Sequence, residues 1–166
     1  MIAQLLAAAT LVLASSAFTD GGRLPQSAAY NMSGCGGQNI APALHWTGAP
    51  AETKSFALTM HDPDAHAPGG WWHWIVFNIP ASRSDLNLNA QSAVQPWING
   101  TTSFKSQGYG GPCPPPGPAH HYNFTIYALD IATVPGATGD MTGPQLVAAI
   151  EGHVLAKATL TGMYSR

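Results

Sequence analysis

GYGGPCPPPGPAHHYNFTIYALD, residues 108–130, puts two opposite kinds of chain behaviour side by side. Residues 108–118 hold five prolines and four glycines. Proline fixes φ and removes a backbone donor, and glycine offers no side chain to pack, so this segment reads as a loop of restricted shape. From Tyr122 to Asp130 the residues turn aromatic and β-branched, with Tyr122, Phe124, Ile126 and Ala128 two apart. That is the period of a strand with one buried face. His120 and His121 stand at the junction. The stretch predicts a stiff loop delivering His120 and Tyr122 at the start of a strand.

Outward from this point, further strands are expected at Ala43–Trp46, Ser55–Met60, Trp74–Ile79 and Ala158–Tyr164, with the junction strand itself running Asn123–Leu129. Trp74–Ile79 (WIVFNI) is almost wholly apolar, as in a strand covered on both faces. One segment has a different period. In Gly143–Ala156, Leu146, Val147, Ile150, Val154 and Leu155 fall at helical spacing, behind Thr142 as N-cap and Pro144 in the first turn. Short strands, many turns and one late helix predict a mostly β fold, a β-sandwich decorated by helices.

The chain has 166 residues, enough for one domain, and its 18 glycines and 14 prolines suit frequent turns. Charged residues make up 8% and the formal net charge is −2, which excludes the basic surface that nucleic-acid binding needs. Ile2–Ala17 is apolar, too short to span a bilayer as a helix, and ends in small residues of the kind a signal peptidase accepts. It predicts a signal peptide over 1–17, a mature domain over 18–166, and export to the periplasm or medium. Cys35 and Cys113 both lie in Gly/Pro-rich loops. In an exported chain they are candidates for a disulfide, with two separate thiols beside a pocket as the alternative.

Two polar clusters sit at strand edges. His61-Asp62-Pro63-Asp64 closes one strand and Gly70-Trp71-Trp72-His73-Trp74 opens the next, while His120-His121-Tyr122 follows the proline loop. Carboxylates and imidazoles of this kind can bind a metal, bind an anion or move protons, and spacing alone does not choose. No His-x-x-x-His, Cys-x-x-Cys or Gly-x-Ser-x-Gly pattern occurs, so neither a metal, nor another cofactor, nor an enzymatic activity is expected.

Taken together, Asp62-Pro63-Asp64-Ala65, Gly70–Trp74, Gly108–Pro115 and His120-His121-Tyr122 resemble the phosphatidylethanolamine-binding protein family, most of all its bacterial and archaeal Raf-kinase-inhibitor-like branch. Further likeness runs through GQNIAPALHW (37–46), FNIPAS (77–82) and IEGHVLAKATLTGMY (150–164). The resemblance implies two antiparallel sheets in a Greek-key sandwich with a helix toward the C-terminus, short peripheral helices and an anion pocket at one end. By the same likeness the pocket is formed by Asp62, Asp64, His73, Pro114, His120 and Tyr122, with Trp72 nearby. It implies a non-enzymatic protein binding phosphate, a phosphorylethanolamine-like head group or a carboxylate, without stable membrane insertion. Two alternatives stay open: an inhibitor of a serine protease or kinase acting through another surface, and a metal-dependent hydrolase. Near an aspartate the histidines are expected as imidazolium, which favours an anion. Two positions depart from the family pattern: His121 stands where an arginine is usual, and His66 displaces a proline to Pro68.

Overall fold

A computed structural model describes residues 10–87 and 94–166. The order of elements is β1 (Val12–Ser15), β2 (Leu44–Thr47), β3 (Ser55–Asp62), β4 (Trp71–Pro80), β5 (Asp85–Leu86), β6 (Ile98–Asn99), β7 (His120–Leu129), α1 (Gly143–Ile150) and β8 (Val154–Tyr164). They form two antiparallel sheets, a small one ordered β1-β2-β5 and a larger one ordered β6-β4-β3-β7-β8. The fold is thus mostly β with one short α-helix, as the turn-rich sequence predicts.

The larger sheet is buried on both faces. On one side, Phe56, Leu58, Met60, Val76, Phe124 and Ile126 pack against Leu13, Leu44, Trp46 and Leu86 of the small sheet. On the other, Ala57, Ile75 and Phe77 pack against Leu146 and Ile150 of α1 and against Val134 and Met141 of the preceding loop. This double cover is why β3 and β4 carry continuous apolar runs instead of alternation. Residues Trp74 to Phe77 are fully buried.

Two expectations need correction. The helix ends at Ile150, is followed by a single 3-10 turn over Glu151–His153, and does not reach Ala156. Val154, Leu155 and Ala156 belong to β8, which pairs with β7 over the whole of that strand's length. The ladder thus outweighs the local helical spacing. The strands also start earlier than expected, at Trp71, His120 and Val154 rather than Trp74, Asn123 and Ala158. Asp62, His120 and Tyr122 are therefore held within the β3–β4 and β7–β8 ladders.

The predicted leader, 1–17, falls partly on residues 1–9, outside the described residues. Its later part is folded: Leu13 lies opposite Trp46 in the β1–β2 ladder, and both Leu11 and Leu13 are buried in the inter-sheet core.

Candidate functional site

The site begins with an irregularity in β4. Met60 of β3 lies opposite Trp74 and the next residue, His61, lies opposite Trp72, so His73 has no partner on β3 and forms a bulge. The bulge changes which face each side chain takes. Trp74 points into the core between the sheets and Trp72 packs with the α1 side, while His73 meets Tyr122 edge-on at 5.2 Å between ring centres. Without a ladder partner, the backbone of His73 turns to the proline-rich loop. Its carbonyl accepts from the Gly110 N–H at 2.9 Å, and its ring Nδ1–H donates to the Gly110 carbonyl at 2.7 Å.

That loop is pinned from several sides, which accounts for its composition. The Asn39 side chain accepts from Gly111 N–H at 2.7 Å and donates to the Tyr109 carbonyl at 3.0 Å. Tyr30 N–H donates to the Pro112 carbonyl at 3.0 Å, and Arg166 Nε donates to the Pro114 carbonyl at 2.7 Å. A Cβ at Gly111 would overlap the Ala28 and Ala29 backbone, and one at Gly110 would meet the Phe104 ring at 2.6 Å. Glycine is thus required for the close approach, while proline carbonyls accept bonds where no proline donor is needed. Cys35 and Cys113 are joined by a disulfide, with Cα atoms 5.4 Å apart, tying the loop to the 30–40 segment.

On the opposite side Asp62 ends β3 and is only 3% exposed. Its Oδ1 accepts from the Asp64 and Ala65 backbone N–H groups at 2.8 and 3.1 Å, and its Oδ2 accepts from His120 Nδ1–H at 2.8 Å. The Tyr122 hydroxyl also bonds to this carboxylate, and burial together with the Asp62 charge pushes the Tyr122 phenol up, away from ionisation. A buried carboxylate is tolerable when its lone pairs are satisfied in this way.

Between these groups lies a cavity of about 230 Å³. Of the expected residues, Asp62, His73, Pro114, His120 and Tyr122 line it. Trp72 does not. Its ring packs on His61 at 4.4 Å and beside the start of α1, where a Cβ at Gly143 would collide with the indole. Trp71, one position earlier, takes the cavity wall instead. Asp64 turns outward and accepts from the His121 backbone N–H and Nδ1–H, both at 2.7 Å. That pair is about half exposed, and the bonds from His121 hold the Asp64 carboxyl below the usual carboxylate range.

The other lining residues were not singled out as pocket residues from the sequence. Phe104 stacks on Tyr30 at 4.7 Å and meets Trp71 and His73 edge-on at 5.4 Å each. His66, Ala65, Cys113 and Pro115 complete the wall. His66 as an insertion and Cys113 as a loop cysteine carried a sequence signal, whereas Phe104 lies in a stretch without periodicity. A larger groove of about 660 Å³ runs along α1 and β8, lined largely by apolar residues such as Val147, Ile150 and Val154, with Glu151 and Lys157 as its charged groups. The smaller cavity, with its several inward polar side chains, is the better candidate.

The expectation of an imidazolium at His73 also needs correction. Burial removes the solvation a charge requires and lowers its pKa from 6.5 to about 4, against smaller opposing effects from the Gly110 bond and the Asp62 charge. At neutral pH His73 is an uncharged ring.

A family model for phosphatidylethanolamine-binding protein matches residues 14–165. The chain belongs to that family. Among its relatives, the UPF0098 protein YbhB of Escherichia coli K12 is 41% identical over 160 residues, spanning 92% of this chain and 99% of YbhB. The crystal structure of E. coli YbcL, described as a member of the mammalian PEBP family, superposes with a TM-score of 0.88 at 34% identity, covering 95% of this chain and 99% of YbcL. A Mycobacterium tuberculosis relative named as a lipoprotein, LppC, is 38% identical over 160 residues, 94% of this chain and 75% of LppC. Among the described residues, no helix is long and apolar enough to cross a membrane.

Proposed function

We propose that this family member is a non-enzymatic binding protein whose cavity takes a small oxyanion, such as phosphate, a phosphorylethanolamine-like head group or a carboxylate. The observation that carries the reading is the buried Asp62–His120 pair opening onto the cavity. Nδ1–H of His120 is committed to Asp62, so a proton on Nε2 gives the cavity a donor backed by a carboxylate. Size sets the other limit. At about 230 Å³ the cavity falls below the several hundred Å³ typical of pockets for drug-sized ligands, which fits a head group and not a whole lipid. Export is part of the same proposal, and the Cys35–Cys113 bond and the lipoprotein relative both favour it.

NMR titration with phosphate and with phosphorylethanolamine tests the reading. Saturable shifts are expected in the wild type and in Asp64→Asn, and loss of binding in His120→Ala. Binding that survives His120→Ala, or is lost equally in Asp64→Asn, would move the site elsewhere.

A further inference from the structure

The donors that a sequence reading assigns to an anion are largely spent within the protein. His73 Nδ1–H points at the Gly110 carbonyl, and the Tyr122 hydroxyl serves Asp62. A carbonyl can only accept, so the His73 proton is on Nδ1 and Nε2 carries a lone pair. The ring lines the cavity and Gly110 does not, which leaves the Nε2 edge facing inward. Gly111 is the other backbone group that bonds to this ring, more weakly than Gly110, and the ring is 3% exposed. A fully deprotonated oxyanion would set its own lone pairs against that of Nε2, with little water to separate them.

We propose that His73 reads a proton on the ligand, so that the cavity selects an oxyanion still carrying a hydroxyl group, such as the monoanion of a phosphate monoester, over one with none. The inference rests on the oxyanion reading above and adds a protonation-state rule to it. The ligand O–H donates to Nε2 while its remaining oxygens face His120. The groups that act on His73 support this arrangement. Asp62 and His61 on β3 are its charged or titratable neighbours, Tyr122 on β7 and Phe104 meet it edge-on, and His66 and His120 share the cavity. The native ring stays uncharged across the range in which a phosphate monoester loses its last proton.

The test compares methyl phosphate with methyl sulfate, near-isosteres of which only the first retains a proton at pH 5. Affinities of the full-length protein are measured by calorimetry or NMR at pH 5 and pH 8. The two anions meet the same remaining cavity groups, so the phosphate-to-sulfate ratio isolates the contribution of His73. With a second phosphate pKa of about 6, the protonated fraction falls about 100-fold between these pH values. Methyl phosphate is expected to be preferred by about 10-fold or more at pH 5, the preference disappearing at pH 8. His73→Phe, which fills similar space without a lone pair, is expected to bind the two ligands alike at both pH values. Equal affinities at pH 5, or a preference that does not change with pH, overturn the role of His73 and leave the oxyanion site standing. Saturable binding of neither ligand overturns both. The wild-type series decides the matter even where His73→Phe fails to fold.

Discussion

Reduction of the Cys35–Cys113 bond offers a quantitative test of how the cavity rim is held. The two cysteines are 78 residues apart, so the bond closes a loop that includes β2, β3 and β4. In the chain-entropy treatment, closing a loop of that length restricts the unfolded chain enough to contribute about 4.5 kcal/mol to stability. Set against a total of about 5–15 kcal/mol for a typical domain, this is a large share. In urea, a slope of about 2 kcal/mol per molar converts it to a midpoint lowered by roughly 2 M. The measurement compares oxidised protein with the same chain under reductant, and with the Cys35→Ser/Cys113→Ser double variant to remove any effect of the reductant. Cys113 lines the cavity, so phosphate affinity is expected to fall with the midpoint. A midpoint displaced by less than about 0.5 M would refute the reasoning. The bonds from Arg166 and Asn39 to the rim would then be sufficient, and the cross-link would add nothing.

Two further outcomes follow from buried groups. His73 titrates near 4 when folded and near 6.5 when unfolded, so acidification protonates the unfolded chain first. Its contribution is complete above about pH 6.5 and is lost as pH falls toward 4, by on the order of 3 kcal/mol. Urea unfolding at pH 7 and pH 4.5 checks this, since His73→Phe should remove that part of the slope, and an unchanged slope in the variant would count against it. Leu13 is buried against the small-sheet core, and Leu13→Ala is expected to cost about 2–5 kcal/mol by calorimetry or urea midpoint. Indifference to that substitution would mean that β1 is dispensable in the folded protein.

The architecture was legible wherever apolar pattern and burial agree. The run WIVFNI announced a strand covered on both faces, and it is one, because a polar residue anywhere in 74–77 would face one core or the other. Short elements gave no such signal. β5 and β6 have two residues each, too few for any period, and β1 lies in a stretch whose apolar character also suits a leader. At the site, it was the family likeness that named Asp62, His73, Pro114, His120 and Tyr122, and these five line the cavity. Trp72 was expected beside the pocket through the family likeness, whereas Trp71, two residues from His73, shares the side of β4 that lines the cavity. Asp64 was misplaced for a different reason. The turn that satisfies Asp62 uses the Asp64 backbone, leaving its side chain to the solvent-facing His121. The charge of His73 was misjudged because an adjacent aspartate favours imidazolium only where enough water remains to share the cost of burying it.

The extra residue in β4 separates the recognition function from the scaffold. Without His73, Trp72 and Trp74 would be consecutive residues opposite His61 and Met60, and this register shift of the β3–β4 ladder would be removed. The β3–β4 pairs on either side of the bulge do not include the residue that lines the cavity. A descendant could therefore shed ligand recognition in a single-codon deletion and keep its architecture, so that shared shape within such a lineage says little about shared binding.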